Sequence, residues 1–152
     1  MQRKLKTKVH AIAGGLAFLL ILSFWMSTLI SEIFLHPAAI ITVKTGIAYA
    51  LIGFIPVMAA AGGTGFSLGG KSTHPLIVAK RRRMPFIALN GLVVLVPSAL
   101  FLADKANSNS FDEWFYYVQA IELIVGAINL VLMGLNIRDG LQLTKKQRSR
   151  NR

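Results

Sequence analysis

WFYYVQAIELIVGAINLVLMGLN, residues 114–136, decides the fold of this chain, because it is long enough to cross a bilayer yet carries Glu122 and Asn129 inside an otherwise apolar run. At about 1.5 Å of rise per residue, a helix of this length spans the roughly 30 Å of hydrocarbon in a membrane. Steps of three and four residues place Phe115, Gln119, Glu122, Gly126, Asn129 and Met133 on one side of that helix. An ionisable or amide side chain in lipid is costly unless it meets protein or water. This stripe is therefore expected to face inward and the Ile, Leu and Val side outward. A lone helix cannot hide such a stripe, so the rest of the chain must supply its partners.

Composition points the same way. With 54% hydrophobic residues in long runs and a mean hydropathy of +0.57, the 152-residue chain is too apolar for an ordinary soluble domain. The net charge of +11 would suggest nucleic acid on a soluble fold, but here the cations cluster between and beyond the apolar runs. That pattern is a topology signal, and neither nucleic acid nor nucleotide is an expected partner. The chain has no cysteine, which excludes disulfides, thiolate iron–sulfur clusters and covalently attached haem.

Three further spans precede the fourth. Arg3, Lys4, Lys6 and Lys8 lead into an apolar stretch at 9–33, which is longer than the core of a signal peptide and has no small-residue cleavage site after it. Its small residues Ala11, Gly15, Ser23, Ser27 and Ser31 predict a seam for close helix packing. After Glu32, His36 and Pro37 a second span covers 38–61, with a second seam at Gly46, Ala50 and Gly53 and a kink at Pro56. Lys44 lies opposite that seam and can reach back toward the nearby membrane surface. Residues 62–85 read as a loop, Gly-rich and then basic. The third span, 86–103, holds Asn90 and a kink at Pro97. The tail, 138–152, is basic and expected to fray. Cations flank the first span, fill the central loop and crowd the tail, while Lys105 is the one cation in the opposite loops. Both termini and the 62–85 loop are thus expected to be cytoplasmic.

Several motifs have plainer explanations. Gly65 to Ser72, GFSLGGKS, matches the phosphate-loop pattern, but a core strand should precede such a loop and here a membrane span does. His10, with Gly14 four residues on, is the residue that would hold haem b. His36 falls at the far end and His74 in the central loop, on the same side as His10 but outside the spans, so no two imidazoles sit deep at one level; neither cofactor nor metal is expected. Counted from the outer ends, Lys44 and Glu122 lie at similar depths, about 10 to 14 Å in, and can pair. Asn90 and Asn129 both fall in the cytoplasmic half and can bond amide to amide. Such groups serve either an ion pathway or helix register, and the spans show kinks rather than the broken helices of transporters.

KVHAIAG at 8–14, SFWMST at 23–28, RRMPFIALNG at 82–91 and GLNIRDGL at 134–141 resemble a group of small, uncharacterised four-span proteins of bacterial inner membranes. The resemblance implies a bacterial cell membrane and carries no activity. The expectation is an all-α, antiparallel four-helix membrane bundle, single-domain, acting as a non-catalytic accessory or interaction component beside other membrane subunits or copies of itself. The alternatives are a small ion- or proton-coupled transporter using Glu122 and Lys44, and an electron carrier using His10.

Overall fold

The computed structural model describes residues 3–70 and 72–150, with side chains through 145. It contains four long helices: the first over Arg3–Phe34, the second over Pro37–Gly69, the third over Pro75–Asn107 and the fourth over Glu113–Arg150. No strand occurs among the described residues. Each helix is long and apolar enough to cross a membrane, which marks the chain as a multi-pass membrane protein by length and composition. Large apolar side chains are exposed all round the bundle, from Ile12 and Leu19 on the first helix to Ile124 and Val131 on the fourth. In lipid these are the solvent-facing residues.

Proline and asparagine punctuate the connections. Pro37 and Pro75 open the second and third helices, where a missing backbone N–H costs nothing. Gly70, at φ 41° and ψ −134°, ends the second helix in a conformation open in practice to glycine alone. Asn109 takes the left-handed conformation in the turn before the fourth helix. Asp112 accepts a hydrogen bond from the Phe115 amide at 3.0 Å and pairs with Lys105 at 2.5 Å. The Lys105 bond and then the Phe115 amide hold its carboxyl below the usual aspartate range.

Neighbouring helices run antiparallel. From the first to the second, contacts step in opposite directions along the chain: Lys6 to Ser67, His10 to Ala61, Thr28 to Lys44. The packed neighbours are first with second, second with third, third with fourth and fourth with first, so the helices form a closed square. Two apolar layers fill it. One is built on Ala17, Ile21, Ile47, Leu51, Phe54, Ile87, Ala99 and Met133; the other, toward the 108–112 turn, on Ile40, Leu102, Ala106 and Phe115.

Helices extend beyond the apolar spans. Residues 62–69, expected to be loop, continue the second helix, and the third begins at Pro75, leaving only 70–74 as connection. Packing overrides the weak helix preference of the glycines: a Cβ at Gly65 would stand 2.9 Å from the His10 ring and overlap the end of Met84. The tail likewise stays helical to Arg150, seeded by good helix formers and by Asp139, which the bundle holds. Residues 151 and 152 lie outside the described residues. Where a kink is expected at Pro97, a π-helical stretch, Asn90–Leu95, precedes the proline, and in it the Val96 N–H reaches back five residues to the Gly91 carbonyl. A wider turn ahead of a proline relieves the clash of its ring with the preceding turn. Pro56 lies within the continuous second helix.

Candidate functional site

The inward stripe of the fourth helix is where the sequence places it. Phe115, Gln119, Gly126, Asn129 and Met133 are buried and Glu122 is 13% exposed, while Trp114, Tyr116, Ile121 and Ile128 are exposed. On the second helix the buried face is Ile40, Lys44, Ile47, Leu51 and Phe54, at alternating steps of four and three. Lys44 is 1% exposed. Its Nζ lies 2.6 Å from Glu122 Oε2 and donates to Thr28 Oγ1 at 3.5 Å. Gln119 Nε2 donates to the same Glu122 oxygen at 3.1 Å.

The pair crosses the bundle from the second helix to the fourth, which stand diagonally opposed. It forms a polar layer between the two apolar layers, since Ile40 and Phe115 lie on one side of it and Ile47 and Met133 on the other. At 1.5 Å per residue it sits about 10 to 14 Å from the start of each helix. Charges withdrawn from water repay that cost only when paired and hydrogen-bonded, and here three helices contribute to doing so. Glu32, at the end of the first helix, is near enough to interact electrostatically with both Lys44 and Glu122, and its Oε1 is buried without a hydrogen-bond partner. Below the pair, a cavity of about 60 Å³ is lined by Phe24, Trp25, Leu51, Leu95, Glu122 and Gly126 among others.

Three expectations are corrected. Lys44 does not reach back to the membrane surface but points into the bundle, and the seam opposite it faces out: Gly46 and Gly53 are exposed, with nothing within 4 Å of where a Cβ would stand. The seam and the lysine cannot both face the core, and the ionisable group has more to lose in lipid. On the first helix the buried positions are Ala13, Ala17, Ile21, Thr28 and Ser31, so Ala11 and Ser23 of the expected seam face out and only Ser31 is buried. The expected bond between Asn90 and Asn129 is also not made. Asn129, fully buried, donates instead to the Ile87 carbonyl at 3.3 Å, beside the π-helical stretch. That stretch turns Gly91 rather than Asn90 toward the fourth helix: a Gly91 Cβ would stand 3.9 Å from Asn129 Nδ2, while Asn90 is half-buried.

At the opposite end of the bundle a second ionic cluster joins the third and fourth helices. Asp139, 1% exposed, lies 2.6 Å from Arg83 and 3.1 Å from Arg138, and Arg83 also donates to Asn136 at 3.3 Å. The guanidinium groups themselves cover the carboxylate. Sequence reasoning missed it, although steps of three from Met133 through Asn136 to Asp139 continue the inward stripe. His10 donates from Nδ1 to the Ala61 carbonyl at 2.9 Å and so ties the first helix to the second. His36 precedes the second helix and His74 the third. Among the described residues no three histidine or acidic side chains gather closely enough to hold a metal ion. No family model, curated protein or solved structure matches the chain.

Proposed function

We infer that this chain is a non-catalytic component of a larger membrane assembly in the inner membrane, with both termini cytoplasmic. The orientation rests on the cations: of the 17 Lys and Arg residues, all except Lys44 and Lys105 fall at the end that carries the termini and the 70–74 connection. The sequence resemblance supports the bacterial membrane. The chain lacks cysteine, so single cysteines report cleanly. A cysteine replacing Ser108 is expected to react with a membrane-impermeant thiol reagent applied from outside, and one replacing Ser72 only after the membrane is opened. The reverse pattern overturns the orientation.

One observation carries the assembly role: the second helix presents Gly46 and Gly53 outward with open space above both, between the exposed side chains of Tyr49 and Ile52. Association of helices in lipid depends on close backbone approach, which small residues permit, and a seam not used inside the bundle is available to a neighbour. In Gly46→Leu with Gly53→Leu each added Cβ has nothing within 4 Å and each position is exposed, so stability is expected to change by less than about 1 kcal/mol or to rise with helix propensity. Co-purification with a partner subunit or a second copy is expected to fall at least tenfold. Unchanged association in native mass spectrometry, or a wild type that runs alone, sinks the role.

A second reading is favoured by Glu32. Glu32 adds a second carboxylate within electrostatic reach of the one ammonium, so a proton or small cation would balance the group, and the chain would then move ions through Glu122. Variants of the Lys44–Glu122 pair separate the two readings.

A further inference from the structure

At the end that carries the chain termini, a partly open pocket of about 390 Å³ lies between the start of the first helix and the end of the second, lined by Arg3, Lys6, Ser67, Leu68, Gly69, Gly70 and Ser72. It contains two cations from one helix, two hydroxyls from the other side and no carboxylate. The nearest acidic residue along the chain is Glu32, at the far end of the first helix, and among the described residues Asp139 is the one carboxylate at this end, already held by Arg83 and Arg138. Lys6 Nζ donates to Ser67 Oγ at 2.7 Å. A hydroxyl that accepts from an ammonium turns its own proton away, so Ser67 is left as a donor, and Lys6 keeps two further N–H groups. The end of a helix is ordinarily poor ground for an anion, because its last carbonyls carry partial negative charge. Here Arg81 Nη1 donates to the Gly70 carbonyl at 2.7 Å and offsets part of that charge. The charged side chains that line the space, Arg3 and Lys6, are both cations, and it has room for roughly a dozen waters at about 30 Å³ each.

The geometry points to an anion site that takes the phosphate group of an anionic phospholipid. This rests on the orientation given above, which sets the pocket at the headgroup level of the inner leaflet, where anionic lipids are recognised by basic pockets between helices. Arg3 and Lys6 hold the phosphate oxygens, Ser67 and Ser72 donate to them, and Leu68 offers an apolar wall at the level where acyl chains begin. The same donors would suit free phosphate, and the test separates the two sources.

The full chain in a mild detergent is exposed to phosphatidylglycerol, to phosphatidylcholine or to inorganic phosphate, and retained molecules are counted by native mass spectrometry, which does not depend on orientation. One phosphatidylglycerol is expected to be kept at least tenfold better than phosphatidylcholine. Arg3→Gln with Lys6→Gln is expected to abolish that preference. Lys4→Gln with Lys8→Gln, which removes equal charge from the same segment outside the pocket, is expected to leave it unchanged. Ser67→Ala with Ser72→Ala, which keeps every charge, is expected to weaken it several-fold. Equal loss in both charge variants means diffuse surface attraction and overturns the site. Binding of inorganic phosphate that displaces the lipid at equal millimolar concentration overturns the lipid assignment. No retained lipid in the wild type overturns both.

Discussion

Lys44→Met is expected to cost about 3–5 kcal/mol of stability, and Lys44→Met combined with Glu122→Met to recover most of that loss. The asymmetry follows from where the pair sits. Lys44 is 1% exposed, and its ammonium is held by Glu122 at 2.6 Å and by Thr28 at 3.5 Å. Removing the ammonium leaves a carboxylate in the polar layer with Gln119 as its hydrogen-bond donor and Glu32 nearby as a like charge. Removing both charges leaves methionine chains of similar length, flexible enough to fill the space between the two apolar layers. Unfolding in mixed detergent micelles, run on both single variants and the double, gives the coupling energy. Additive losses would show that the pair does not act as a unit. The double variant also decides between the two functional readings. If the pair sets helix register, the refilled core still folds and still associates; if Glu122 carries ions, the double variant folds but passes none.

How much of this was legible in the sequence depends on which physical constraint spoke. The inward stripe from Phe115 to Met133 could be read residue by residue, because an intramembrane Glu and Asn leave one face of a 3.6-residue helix no choice. Small residues constrain far less. Gly46, Ala50 and Gly53 can pack against a neighbour inside or outside the chain, and the seam gave no direction until it was set against Lys44. A charge at the bilayer centre costs about 2.5–3.5 kcal/mol even on the mildest scale, well above what a close-packed glycine contributes. Hydropathy located where lipid would end, not where the helices end. Residues 62–69 are helical because Gly65 fits under His10 and Met84, a contact between distant segments that no local window contains. The Asn129 bond to Ile87 was hidden for a related reason. A π-helical stretch rotates the side chains on one side of it relative to those on the other, and a register drawn through an unbroken helix puts Asn90 where Gly91 stands. Asp139 does not stand out in the sequence because charges past a span carry the topology signal, although its neighbour Arg83 shows that a cation can serve topology and packing together.

Gly126→Val is expected to cost about 1–3 kcal/mol and to release the Trp25 indole, for reasons that lie in one contact between the first and fourth helices. Trp25 Nε1 donates to the Leu123 carbonyl at 2.9 Å, which lays the edge of the indole over Gly126. A Cβ there would stand 3.0 Å from Trp25 Cδ1 and 3.7 Å from Nε1, so even one carbon presses on a rigid ring and the branches of valine press harder. The ring can yield only by leaving its hydrogen bond, an interhelical bond worth roughly 0.6 to 2 kcal/mol in a membrane. Two effects oppose each other. The cavity of about 60 Å³ that Trp25 and Gly126 both line gives the displaced indole somewhere to go, which holds the cost below that of a fully packed core. The N–H then gives up the Leu123 carbonyl in a mostly apolar cavity where Thr28 and Glu122 are the polar side chains, so the bond is lost or remade with poorer geometry. In a Trp114→Phe background Trp25 is the only tryptophan, and its emission is expected to shift in Gly126→Val together with the loss of stability. Trp25→Phe combined with Gly126→Val is expected to cost less than the sum of the two single changes, because the smaller ring leaves room and brings no N–H. Unchanged emission with unchanged stability in Gly126→Val would show that the two helices do not meet at this contact.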